Sequence, residues 1–219
     1  MSKIIISKNG PYLVTGDIPL IGMSIIKGPN GNVYKETKTL KTDGDYALCR
    51  CGKSNNKPFC DGSHNCGFDG TLTASKEPIK KRSKKYEGRD FILEDAEDLC
   101  AYARFCHTYD TDVWNIVESG STEEEQELAK KLAFECPSGR LVLIDKKTNK
   151  VLEPDYEPSI AILYDEVEKC MGPIWVRGCI PIEDENGKQL EVRNRVTLCR
   201  CGNSDNKPYC DASHISKKS

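Results

Sequence analysis

Short apolar runs bounded by turn residues mark both ends of the chain. Ile4 to Ser7, Tyr12 to Gly16 and Met23 to Gly28 are separated by Asn9-Gly10-Pro11, Pro19 and Pro29-Asn30-Gly31, the punctuation expected between strands. Ser159 to Val167, Trp175 to Ile182 and Glu191 to Leu198 form a second such group, broken by the Asn186-Gly187 turn. Alternation from Phe68 to Thr73 predicts one further strand. Between these groups the period lengthens. Residues 94 to 106 place Ala96, Leu99, Cys100, Ala103 and Cys106 at helical spacing behind acidic residues. Thr122 to Glu135 predicts a second helix, with Ser121 or Thr122 as cap, three glutamates in its first turn and Leu128, Ala129, Leu132 and Ala133 on one face. It stops at Cys136-Pro137-Ser138-Gly139, and Arg140 to Asp145 reads as a strand. The pattern is that of an α+β protein, β-rich at its ends and α-rich in its middle.

The two β-rich ends are copies of one another. Cys49 to His64 (CRCGKSNNKPFCDGSH) and Cys199 to His214 (CRCGNSDNKPYCDASH) agree at twelve of sixteen positions, and GPYLVTGDIPL at Gly10 matches GPIWVRGCIPI at Gly172. From that Gly-Pro to the first cysteine the copies span 39 and 27 residues, so the first carries a 12-residue insertion. Each copy has the order C-x-C-x8-C-x3-H. Cysteines one residue apart on an extended chain project to the same side and can chelate one metal ion. Cys60 and His64, four apart, lie on one face if Asp61 caps a short helix. A zinc ion takes three cysteines and a histidine, but zinc sites usually open with a wider C-x2-C pair. A C-x-C pair suits one iron of a two-iron cluster whose second iron takes the other pair. The spacing ranks iron-sulfur ahead of structural zinc and leaves zinc as the alternative.

Composition narrows the class of protein. Of 219 residues 37% are apolar and 7% aromatic, lean for one large core, which points to several small cores stiffened by metal. A formal charge of −2 supplies no drive toward nucleic acid or an anionic membrane. Twelve cysteines without an apolar signal region in MSKIIISKNG, and without a long apolar run, point to a reducing cytoplasm in which cysteines at ligand spacing mean metal. Lys76 to Arg89 is rich in basic residues around Pro78 and reads as a solvated linker or edge. Neither a nucleophile motif nor a phosphate loop occurs, so an enzyme with its own organic substrate is not expected. Cys66, Cys170 and Cys179 lack ligand spacing and read as structural.

The repeated stretch resembles the signature of the CDGSH iron-sulfur domain (NEET) family, C-x-C-x2-S-x3-P-x-C-D-G-S-H. The first copy satisfies it throughout; the second has Ala212 for the glycine, a small residue expected to suit a helix start. The resemblance implies two [2Fe-2S] clusters, held by Cys49, Cys51, Cys60 and His64 and by Cys199, Cys201, Cys210 and His214, with Cys plus His on the outer iron. Proteins of this family work as strand-swapped homodimers, so two modules in one chain are expected to form an internal pseudo-dimer in a monomer. The expected division is a CDGSH module at 1–75, a basic linker at 76–90, an α-rich insert at 91–150 and a second CDGSH module at 155–219. Within the insert Cys100-x5-Cys106, followed by Cys136-Pro137, is similar to divergent single-cluster ferredoxins. Two readings stay open there: a [3Fe-4S] or [4Fe-4S] cluster on Cys100, Cys106 and Cys136, with His107 as candidate fourth ligand, or a ferredoxin-like fold that has lost its cluster, which the helical spacing favours. The function expected is electron transfer with a redox partner, or storage and transfer of clusters to an acceptor protein, without nucleic acid or membrane.

Overall fold

The computed structural model describes residues 2–216; residues 217–219 of the second expected module lie outside the described residues. In chain order the strands are β1 (Lys3–Ile6), β2 (Tyr12–Thr15), β3 (Leu20–Gly28), β4 (Gly31–Leu40), β5 (Tyr46–Leu48), β6 (Lys84–Glu87), β7 (Phe91–Asp95), β8 (Leu141–Asp145), β9 (Lys150–Leu152), β10 (Ser159–Asp165), β11 (Cys170–Arg177), β12 (Ile182–Glu183) and β13 (Arg195–Leu198). The helices are α1 (Ile79–Arg82), α2 (Val113–Ser119), α3 (Glu123–Phe134) and α4 (Ser213–Ser216). The fold is α+β, as its hydrophobic pattern predicts.

Three sheets result, ordered β12-β1-β2-β5, β13-β11-β10-β3-β4 and β6-β7-β8-β9. The first two exchange strands between the ends of the chain. Strand β12, from the second half, pairs parallel to β1 with Ile182 opposite Ile4; β3, from the first half, pairs parallel to β10 with Leu20 opposite Ile160. The proline before each exchanged strand accepts the same bond, Ile4 N–H to Pro181 O and Ile160 N–H to Pro19 O, both 2.9 Å. Proline presets the chain at these crossings and still offers its carbonyl. The 12-residue insertion lengthens the β3–β4 hairpin; its turn at Pro29-Asn30-Gly31 needs the glycine, at φ +142°.

Exchange of strands changes the core. Instead of separate small cores, Ile4, Ile6, Tyr12, Leu20 and Leu48 pack with Ile160, Ile174, Val176, Val196 and Leu198 in one interior drawn from both ends. A second core lies in the middle segment, where α2 and α3 cover the β6–β9 sheet through Phe91, Leu93, Val117, Ala129 and Leu143. Helix α3 carries the expected capping box: Thr122 accepts from the Glu125 N–H while the Glu125 carboxylate accepts from the Thr122 N–H.

Two local expectations are corrected. Residues 94–106 are not helical: they hold the end of β7, a 3-10 turn at Glu97–Leu99 and a loop in which Tyr102 and Arg104 take positive φ (55° and 63°). The left-handed residues Tyr102 and Arg104 break any longer helix, so the helical spacing of the apolar residues is not realised. Phe68 to Thr73 forms no strand but crosses to the second copy, where the Thr73 and Ala74 N–H groups both donate to Lys207 O at 2.9 Å. The basic stretch at 76–90 is mostly exposed and supplies an edge: α1 buries Ile79, and β6 is the outer strand of its sheet, paired to β7.

Candidate metal centres

Each repeated motif folds by the same set of bonds. Strand β5 runs into Cys49, whose N–H donates to Pro58 O (2.8 Å), while the Cys60 N–H donates back to Ala47 O (2.9 Å). Strand β13 runs into Cys199, with Cys199 N–H to Pro208 O (2.8 Å) and Cys210 N–H to Thr197 O (2.9 Å). The hydroxyls of Ser54 and Ser204 donate to Phe59 O and Tyr209 O, both 2.7 Å, which pins the intervening loop. Lys57-Pro58 and Lys207-Pro208 are cis in both. Asp61 accepts from the N–H groups of Asn55 (2.8 Å) and Ser63 (3.0 Å); Asp211 accepts from those of Asp205 (2.7 Å) and Ser213 (3.0 Å). The aspartate therefore ties the ligand loop to the start of the short helix, while the residue after it occupies the cap. That residue is left-handed in both copies, Gly62 at φ +89° and Ala212 at φ +68°. Ala212 is thus not favourable by helix propensity: it sits in a conformation that suits glycine better.

These bonds gather the predicted ligands in pairs. Cys49 Sγ and Cys51 Sγ are 3.8 Å apart, and Cys60 Sγ is 3.3 Å from His64 Nδ1; the second set has 3.5 Å for Cys199 to Cys201 and 3.5 Å for Cys210 Sγ to His214 Nδ1. Two ligands of one tetrahedral metal at ordinary bond lengths of about 2.3 Å to sulfur stand about 3.8 Å apart, and less for a sulfur–nitrogen pair. Each pair therefore has the width that two ligands of one metal would take. Among the described residues no group of three or more His, Cys, Asp or Glu closes to the spacing of a single-ion site.

Cys49, Cys51, Cys199 and Cys210 are buried, whereas Cys60, Cys201 and the two histidines are half-buried. At the second site Cys201, Cys210 and His214 line a cavity of 300 Å³ together with Arg200, Cys170, Tyr164 and Met171. A hydrogen bond from Cys201, helped by the N–H groups of Ser204 and Gly202 against the cost of burial, holds the Cys199 thiol down to about 6; the same bond and burial push Cys201 up. One thiolate is thus favoured in that pair before any metal binds; a metal held by both cysteines would require the second as a thiolate too. Burial pushes the Cys210 thiol up and lowers His214, which keeps the imidazole neutral and able to ligate.

The middle cysteines also come together. Burial pushes the Cys106 thiol up to about 12, and the nearby Cys136 and Cys100 push it the same way. Cys136 follows α3, its Sγ 3.5 Å from Ser138 Oγ, and Arg140 hydrogen-bonds the Cys100 side chain while forked onto Asp95 at 2.6 and 2.5 Å. His107 is exposed, its ring 5.6 Å from that of Trp114. The second set neighbours this group: Cys100 is among the charges that raise Cys210. Cys66 and Cys179 are exposed, whereas Cys170 stands in the wall of the second site's cavity, which its spacing in the sequence does not reveal. Arg50 and Arg200, between the paired cysteines, were visible only as identities shared by the two copies.

Comparison with known families gives the class. The family model described as "Iron-binding zinc finger CDGSH type" matches residues 9–65 and 171–215, and the one described as "Divergent 4Fe-4S mono-cluster" matches residues 86–146. No curated protein and no solved structure matches the chain. The two families indicate an iron-binding or iron-sulfur protein with segments of the CDGSH type at both ends. It is a tandem form, with a divergent mono-cluster segment between its two motifs.

Proposed function

We propose that the protein carries two [2Fe-2S] clusters, on Cys49, Cys51, Cys60 and His64 and on Cys199, Cys201, Cys210 and His214, and works in electron transfer. The observation that carries this reading is the twice-repeated gathering of four ligands into a cysteine pair and a cysteine–histidine pair, each 3.3–3.8 Å wide. Such pairs suit two metals better than one. A [2Fe-2S] cluster, when bound, takes up and returns a single electron. The protein's part is to hold the cysteine pair, to fix the histidine on a short helix through Asp61 or Asp211, and to leave the histidine side facing a partner. Cluster storage and delivery to an acceptor protein is the second reading, supported by that same accessible side; structural zinc ranks last.

We further propose that the two ends of the chain form the internal pair that this family otherwise makes from two subunits, supported by the exchanged β3 and β12 and their matching proline contacts. For the middle segment, Cys100, Cys106 and Cys136 are proposed as a third cluster's ligands. The objection from a helix at 94–106 no longer applies, because Tyr102 and Arg104 supply the left-handed turns of a ligand loop. A reducing cytoplasm suits all these cysteines, which are free among the described residues, and no described helix is long and apolar enough to cross a membrane.

The histidines give a direct test. A neutral imidazole leaves a cluster one charge less negative than a thiolate does, so it raises the potential, and it can be protonated in mild acid. His64→Cys together with His214→Cys should lower both potentials and slow the loss of visible absorption near pH 6. Unchanged potentials and unchanged acid decay would mean that the histidines are not ligands.

A further inference from the structure

The turn that carries Cys136 is closed by a residue of the second copy. Arg195, on β13 just ahead of Cys199, is 1% exposed. Its Nη1 donates to the last carbonyls of α3, Ala133 O at 3.1 Å and Phe134 O at 2.5 Å, and its Nη2 donates to the first carbonyl of β8, Leu141 O at 3.2 Å. One guanidinium thus bridges both ends of the turn at 135–140 and pairs carbonyls that the end of a helix leaves open. Glu153 Oε2, 3.0 Å from the same Nη2, balances its charge. Arg193 reaches into the turn itself, Nη2 to Gly139 O at 2.5 Å. Gly139 has φ +60°, and a Cβ on it would stand 2.9 Å from Arg195 O, so the turn lies directly against β13.

The loop that carries Cys100 and Cys106 rests on the second copy too. Arg104, between these cysteines, donates its Nη2 to Asp165 Oδ2 at 2.7 Å. Asp165 is buried at the end of β10, and its Oδ1 accepts from the N–H groups of Val167 and Glu168, both at 3.0 Å. Asn206, inside the second motif, donates its Nδ2 to Asp98 O at 2.7 Å, just ahead of Cys100. The arginine contacts are not a property of the repeat. The first copy has Asp43 and Asp45 at the positions of Arg193 and Arg195, and Asp45 accepts from the Gly16 N–H (3.0 Å) within its own half. Cys106 packs against the core that buries Cys136, and all three cysteines are free, which fits a cluster held by thiolates.

We propose that Arg195 and Asp165 are positioning residues for the middle site: Arg195 fixes the Cys136 turn and Asp165, through Arg104, fixes the Cys100–Cys106 loop, so that the site is assembled on the second copy and not within the middle segment alone. This rests on the reading that Cys100, Cys106 and Cys136 hold a third cluster. Partners behind the ligands fix their orientation and so the strength with which they hold a metal. A turn bridged at both ends by one rigid fork keeps its shape, whereas one whose buried carbonyls lose their donors opens more readily.

The test follows the release of each cluster from the full chain to an iron chelator, read by electron paramagnetic resonance and iron content. The middle cluster is the signal that Cys136→Ser removes. Arg195→Lys keeps a buried cation but cannot fork across both ends of the turn. Asp165→Asn keeps an oxygen for the Val167 and Glu168 N–H groups and removes the carboxylate that Arg104 needs. Each variant should release the middle cluster about tenfold faster than the wild type, the effect of losing a charge-assisted bond, with the clusters of the two motifs released at wild-type rates. Equal acceleration of all clusters would assign the two residues to general stability. That result, or an unchanged middle-cluster rate in either folded variant, overturns the proposal while leaving the third cluster in place. A wild-type chain from which Cys136→Ser removes no iron overturns the third-cluster reading and this proposal together. If Arg195→Lys does not fold, Asp165→Asn decides alone.

Discussion

At position 212 an alanine occupies the left-handed backbone that Gly62 occupies in the other copy. Left-handed geometry costs a residue with a Cβ about 1–2 kcal/mol, and only part of that is recovered from the more restricted unfolded chain. Ala212→Gly should therefore raise stability by about 1 kcal/mol, and Gly62→Ala should lower it, read from urea midpoints at unchanged slope. A loss of stability in Ala212→Gly would show that the loop is not strained there. The eight candidate ligands of the two motifs were legible residue by residue, because their spacing is itself the chemistry. The backbone at 62 and 212 was not, since Gly and Ala look equivalent when size alone is considered. Nor was the contrast between Arg50 and Arg200: identical neighbours in sequence meet different partners, Ser7 O and Gly70 O for Arg50, Gly172 O and Leu163 O for Arg200.

Among the elements, α3 was legible to within a residue because its cap, its acidic first turn and its apolar face agree. The neighbouring segment was misread because β7 and the loop after it carry apolar residues at spacings that imitate a helix, and only pairing with β8 reveals the strand. The hairpin strand β4 was missed as well, being polar and largely exposed along its length. The α3 cap makes a pH prediction. Bonds from the N–H groups of Thr122 and Ser121, and from the Thr122 hydroxyl, hold the Glu125 carboxyl below the usual carboxylate range. A carboxyl depressed by folding contributes stability that is complete above its unfolded value, about 4.3, and is lost as pH falls through the folded value. The first turn of α3 should open below about pH 4, seen as faster amide exchange at residues 121–126 after correction for the intrinsic rate. Glu125→Gln should remove that pH response. Protection that persists unchanged in the wild type at low pH would assign the cap to Thr122 alone.

For the whole molecule, the two ends depend on each other: β1 takes its neighbour from β12, β10 takes its neighbour from β3, and the Tyr12 hydroxyl donates to Cys199 O (2.8 Å) and Pro208 O (3.2 Å). The repeat was plain in the sequence, but one interior shared across 150 residues was not, because composition counts apolar residues without saying which strands bring them together. Residues 1–80 expressed alone should self-associate or fail to hold metal; a monomeric, fully loaded fragment would refute the internal pair. The central claim concerns what the ligand sets hold, and it is tested most directly by counting iron, zinc and acid-labile sulfide in anaerobically purified wild-type protein and in Cys136→Ser. The account predicts about four irons and four sulfides from the two motifs, a further three or four irons from the middle segment that Cys136→Ser removes, and no stoichiometric zinc. About two zinc ions per chain, without sulfide, would contradict it.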